Sequence, residues 1–148
     1  TVTATEGANG STATASAFLP IAINNVNPTI TAVTGPNEWV PYQVFPLGVT
    51  FSDPGFNTES FTYSIAWGDG TTSAGSVSNV TNGSFGAATT GQFSVEKFFT
   101  ASGTYSVVVT VRDDDGGVAT FTKTIVIKTG VINPGPDSPN PFGDTTPP

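Results

Sequence analysis

The tripeptide Val26-Asn27-Pro28 recurs 106 residues later as Ile132-Asn133-Pro134, and a longer self-match extends backwards from it. Val2-Thr3-Ala4-Thr5-Glu6 lies beside Val109-Thr110-Val111-Arg112-Asp113; after a slip of one residue, Ala13-Thr14 lies beside Ala119-Thr120 and Ile21 beside Ile127. Self-similarity at a fixed spacing marks a tandem array of folded units. The 148 residues hold one whole unit, the end of the unit before it and a tail. Each unit must therefore close its own core. A domain of roughly 100 residues can do so, burying about 60 to 70 % of its unfolded surface.

The unit is all-β. Runs rich in β-branched residues with period-2 alternation cover Thr29 to Thr34, Leu47 to Ser52, Ser60 to Trp67, Gln92 to Phe99, Thr104 to Arg112 and Val118 to Lys128, and no segment sustains a helical period. Between them lie Asp53-Pro54-Gly55, Gly68-Asp69-Gly70, Asn82-Gly83, Ser102-Gly103 and Gly116-Gly117, whose chemistry favours turns. Seven or so short strands with this punctuation predict a two-sheet sandwich. Alternation puts Tyr105, Val107, Val109 and Val111 on a buried face, and in the last strand turns Phe121, Ile125 and Ile127 inward. Ser73 to Gly91, poor in large apolar residues, is expected to form a peripheral hairpin turning near Asn82-Gly83.

Three segments follow. Residues 1–27 comprise two strand-like runs that end a preceding repeat, then an Asn-rich hinge; 28–129 form the sandwich; 130–148 carry Pro134, Pro136, Pro139, Pro141, Pro147 and Pro148, a semi-rigid spacer because proline lacks the donor a sheet needs. The first residue is Thr1, without a signal-peptide pattern, so the sequence reads as an internal or processed piece.

Composition removes several functions. Eleven acids against four bases give a formal charge of −7, which repels nucleic acid and anionic lipid. Histidine, cysteine and methionine are absent, so zinc, thiol and Ser-His chemistry have no groups to use. No apolar stretch reaches the roughly 20 residues of a membrane span. Acids such as Glu59, Asp69 and Glu96 are not spaced as an acid–base pair, and no catalytic residue is assigned. Abundant Thr, Ser, Gly and Asn with few lysines has the look of secreted bacterial β-domains, giving an expected location outside the cell or on its surface. Asn9, Asn79 and Asn82 stand in Asn-X-Ser/Thr triplets, incidental in such a chain.

Three motifs, Ser64-Ile65-Ala66-Trp67-Gly68-Asp69-Gly70, Phe98-Phe99-Thr100-Ala101-Ser102-Gly103-Thr104-Tyr105-Ser106-Val107 and Val111-Arg112-Asp113-Asp114-Asp115-Gly116-Gly117, occur in that order. Together they resemble the PKD (polycystic kidney disease) repeat over roughly Pro28 to Thr129. The resemblance implies an immunoglobulin-like β-sandwich, found in tandem on microbial surface proteins and secreted enzymes. The family's usual Trp-Asp-Phe-Gly-Asp-Gly is shortened here to Trp67-Gly68-Asp69-Gly70, and Ser73 to Gly91 is longer than usual. Trp67 is expected to cover the core, Asp69 to accept backbone N–H groups in a turn that Gly68 and Gly70 permit, Tyr105 to form a tyrosine corner, and Gly117 to close the acidic turn.

In such a sandwich the strand ending at Ser52, the Arg112 to Val118 turn and the start of the unit at Asn27 share one pole. Asp53, Asp113, Asp114 and Asp115 then converge with the Asn24 to Asn27 carbonyls, and the hard cation that relieves converging carboxylates with oxygen ligands is Ca²⁺. The resemblance adds that some family members bind calcium here. The competing reading is a solvated Asp turn with Arg112 neutralising one acid. In the preceding repeat the matching turn, Glu6-Gly7-Ala8-Asn9-Gly10, has lost most of the acids.

Three functions compete. The first is a structural and adhesive spacer of a large extracellular or surface protein, its partners being adjacent copies of the repeat, with polysaccharide or surface protein as further contacts. The second is a filament subunit, in which residues 1–23 add strands to a neighbour's sheet edge. The third is a carbohydrate-binding accessory domain of a secreted hydrolase, with Trp39, Tyr42, Phe45 and Phe56 as candidate platform rings.

Overall fold

A computed structural model describes residues 2–8, 11–17, 24–55 and 59–129. Phe56, Asn9 and the Pro-rich segment from residue 130 lie outside the described residues. The strands are β1 Val2–Ala8, β2 Ser11–Ala17, β3 Thr29–Thr34, β4 Glu38–Trp39, β5 Val44–Asp53, β6 Phe61–Ala66, β7 Thr72–Ser76, β8 Asn79–Thr81, β9 Thr89–Phe98, β10 Gly103–Asp113 and β11 Val118–Ile127. Among the described residues β1 and β2 pair only with each other, from Val2↔Ala17 to Ala8↔Ser11. Glu6, Gly7 and Ala8, expected in a turn, therefore belong to a strand.

The remaining strands form two sheets, ordered β4-β11-β10-β6-β7 and β3-β5-β9-β8. All pairings are antiparallel except the short parallel contact of β4 with β11. Period 2 explains what meets between the sheets. Phe45, Leu47, Val49 and Phe51 alternate along β5, and Val107, Val109 and Val111 along β10; all are buried. Trp67, Phe99, Ile65, Ile125 and Ile127 complete the larger core cluster, while Phe51, Phe61, Val77 and Val111 form a second one. Gly91 of β9 lies under Phe51, where any Cβ would meet the ring, so the close approach of β5 and β9 requires glycine.

Two local expectations fail. Phe121 has inward parity, since it pairs with the buried Val109, yet it is 41 % exposed. It lies on the stretch of β11 that has no strand beside its outer edge among the described residues, since β4 pairs with β11 only at Val126 and Ile127. Ser73 to Gly91 is not one hairpin: β7 joins β6 in one sheet and β8 joins β9 in the other. The buried Val77 anchors the crossing, its amide donating to Phe61 O at 2.9 Å.

The registers define two poles. One gathers Thr29, Asp53, Phe61, the Asp113 to Val118 turn and the β8–β9 connection; the other gathers Trp39, Val44, Trp67, Phe98 and Ile127.

Candidate metal centre

Asp113 ends β10, and its side chain accepts from its own turn and from the segment leading into β3. Oδ1 accepts from Gly117 N at 2.5 Å, and Oδ2 accepts from Asn25 Nδ2 at 2.9 Å. Its main chain closes the same turn, with Asp113 N donating to Gly117 O at 3.2 Å. Gly117 is buried so tightly against Asp113 Oδ2 that a Cβ has no room. Asn27 Oδ1 accepts from Val118 N at 3.3 Å, so Asn25 and Asn27 tie the segment leading into β3 onto the β10–β11 turn.

Asp53, at the end of β5, is 1 % exposed. Its Oδ1 takes the amide of Gly55 at 2.6 Å, an Asx turn through Pro54, but its Oδ2 is buried with no partner. Burial pushes the Asp53 carboxyl above its ordinary value against the pull of the Gly55 amide, and the charges of Asp113, Asp114 and Asp115 push it the same way. Glu59, from the β5–β6 connection, is raised as well, first by burial and then by Asp114, Asp53, Asp115 and Asp113. Gly55 stands beside both groups: a Cβ there would lie 2.8 Å from Asp53 Oδ1 and would also strike Glu59 Oε1.

Glu59, Asp114 and Asp115 each bring a carboxylate oxygen within 4.8 Å of the others. Oxygens bound to Ca²⁺ at about 2.4 Å can be at most about 4.8 Å apart, so these three oxygens are close enough to share one such ion. The donors are hard oxygens, which suits the same ion. Of the acids named from sequence, Asp114 and Asp115 belong to this triad, while Asp53 stands outside it with its Oδ2 buried and without a hydrogen-bond partner. Asp113 and Asn27 are hydrogen-bonded to the turn and its neighbours. Glu59 was missed because the turn separates it in sequence from every other member; the only signal was a carboxylate following Asp53-Pro54-Gly55.

The remaining motif residues occupy the opposite pole. Trp67 is fully buried, edge-on to Phe99 at 6.1 Å, and its Nε1 donates to Ser73 Oγ at 2.9 Å. Gly68 and Gly70 adopt φ of 80° and 85°, and Asp69 between them accepts from Thr71 N at 3.0 Å and Thr71 Oγ1 at 2.6 Å. Lys97 Nζ lies 2.7 Å from Asp69 Oδ2. Burial alone would raise the Asp69 carboxyl, but the hydrogen bonds from Lys97 and Thr71 prevail and hold it at about 2. Tyr105 Oη donates to Ala101 O at 3.0 Å.

Of the described candidate platform rings, only Tyr42 is turned to solvent. Phe45 is buried, and Trp39 is half-buried edge-on to it at 6.2 Å. Two surface depressions beside the four-stranded sheet, of about 630 and 310 Å³, are lined by no carboxylate and no cation.

The PKD domain family model matches residues 25–129. Among solved structures, the chain is similar to the PKD domain of an M14-like peptidase from Thermoplasmatales archaeon SCGC AB-540-F20: TM-score 0.55 and 23 % identity, over 72 % of this chain and all of that one. It is also similar to the PKD1 domain of Vibrio anguillarum Epp, with TM-score 0.51 and 18 % identity over the same shares. No curated protein sequence matches it.

Proposed function

The chain belongs to the PKD domain family, and from that premise we propose that it is a non-catalytic structural module of a larger extracellular or cell-surface protein, repeated along the polypeptide and acting there as a spacer. The observation that carries this reading is the self-match, which aligns the start of this sandwich with a second start 106 residues on. The closed core and depressions without acid or base groups agree with it. Intact-mass measurement of the native polypeptide, combined with electron microscopy, tests it. The expected outcome is a chain several times larger than 15.1 kDa, seen as a thread of similar globules. A native subunit of about this mass in a regular fibre would overturn it in favour of strand addition, for which β11 offers an edge with no partner from Val118 to Ile125 among the described residues. Against that alternative, Lys123 on this edge folds back to Asn37 Oδ1 at 2.5 Å, a charge of the kind that blunts edge pairing.

The same reading includes calcium at the acidic pole. Glu59, Asp114, Asp115 and the free Oδ2 of Asp53 would hold the ion, which would supply the positive charge the cluster lacks. Because Asn25 and Asn27 are bonded to the neighbouring turn, a bound ion stiffens the joint with the preceding repeat. Calorimetric melting with Ca²⁺ and with chelator checks this; identical curves would remove the site.

A further inference from the structure

The exposed large apolar side chains of the described residues gather at the two poles, apart from Phe121. Phe85 (98 % exposed) and Val26 are at the acidic pole; Val40, Tyr42 (67 %), Val44 and Phe98 (51 %) are at the other. Neither group belongs to a loose segment. Phe85 caps a closed turn in which Ser84 N donates to Ala87 O at 2.9 Å and Ala87 N to Ser84 O at 2.8 Å, with Gly86 at φ 81°. The base of that turn is pinned by Thr89, whose hydroxyl donates to Gly55 O at 2.7 Å and accepts from Gly83 N at 2.9 Å. Tyr42 is in the left-handed region at φ 61°, uncommon for a tyrosine, and its N–H donates a hydrogen bond to Phe99 O at 2.8 Å that holds it there. Its ring meets Phe98 edge-on at 6.4 Å, and Phe98 pairs with Val44 across β5 and β9. One pole thus carries a single aromatic knob, the other a shallow aromatic and aliphatic patch.

The repeat register brings unlike poles together. Ile21 matches Ile127, so Ile23 stands where Thr129 does, just past the last strand of a unit whose end lies beside Trp39: Lys128 N donates to Trp39 O at 2.8 Å. Asn25, two residues after Ile23, is already bonded to Asp113 of the next unit. Two residues span about 7 Å at most. The patch pole of one unit is therefore held against the acidic pole of the next. At the millimolar effective concentration of a short tether, a contact much smaller than the roughly 1,000 Å² of a free interface is enough.

We propose that Phe85 of one repeat docks on the Tyr42–Phe98 patch of the repeat before it, a head-to-tail contact whose partner is a second copy of this domain. This rests on the array reading above. The contact is heterologous, so it propagates along a thread and fixes the angle between units.

Cysteine is absent from the sequence, which allows a direct test with the full chain. Phe85→Cys protein is mixed at millimolar concentration, which matches the effective concentration of the tether, under mild oxidation with Phe98→Cys, with Val44→Cys and with Thr122→Cys, the last on an exposed site of the five-stranded sheet away from both poles. The expected result is that the Phe98 and Val44 variants cross-link to Phe85→Cys severalfold faster than the Thr122 variant does, and faster than Phe85→Cys does to itself. Equal rates across all pairs overturn the docking. The array reading is judged separately, by the mass and images of the native polypeptide, so either can fail alone.

Discussion

Asp113 and Gly117 close the acidic turn on each other twice, carboxylate to amide at 2.5 Å and amide to carbonyl at 3.2 Å. This is a structural bond with a buried acceptor, and it separates Asp113 from the two acids that follow it. Asp113→Ala should cost about 1 to 3 kcal/mol in urea unfolding with or without calcium, because the amides of Gly117 and Asn25 lose their acceptor. Asp114→Asn should leave the metal-free midpoint within about 0.5 kcal/mol of the parent and abolish any rise with Ca²⁺.

Asp53→Asn should act in opposite directions under two conditions. Without metal it removes a buried charge from a cluster of like charges while keeping an acceptor for Gly55 N, so the melting temperature rises. With Ca²⁺ it removes a ligand, and the variant should melt below the parent. A variant that melts lower in both buffers would show that the charge itself stabilises the fold.

The pH dependence follows from two opposed groups of shifts. Asp53 and Glu59 are raised above 3.8 and 4.5 respectively, so the folded state binds their protons more tightly than the unfolded chain, and stability falls as pH rises through their folded values. Asp69 is lowered from 3.8 to about 2, so its contribution is present above 3.8 and is lost as pH falls toward 2. Melting in chelator should therefore be highest at about pH 4, between the two sets of shifts, and decline on either side, and saturating Ca²⁺ should flatten the decline above it.

Gly91→Ala places a methyl group in the ring of Phe51. The expected cost is about 1 to 3 kcal/mol, the range for overpacking a filled core, with part of it recovered in the double variant Gly91→Ala with Phe51→Leu. Phe121→Ser at the open edge of β11 should fall within about 0.5 kcal/mol of the parent in the same titration.

Alternation along β5 and β10, the glycine-flanked Asp69 turn and the order of the three motifs were enough to fix an immunoglobulin-like sandwich, because each is encoded over a few neighbouring residues and period 2 leaves one choice of face. Phe121 shows where that stops: its parity is right, but how much of the ring is covered depends on the neighbouring strands, and β4 flanks β11 only at its far end. Ser73 to Gly91 shows it again, since a polar segment does not reveal that β7 and β8 join different sheets. At the acidic pole, four Asp residues could be named from the chain, yet only the folded registers bring Glu59 to Asp114 and Asp115, bond Asp113 to Gly117 and leave Asp53 Oδ2 without a partner. The tertiary structure alone decides these matters, because carboxylates from two loops meet through sheet packing and not through spacing along the chain.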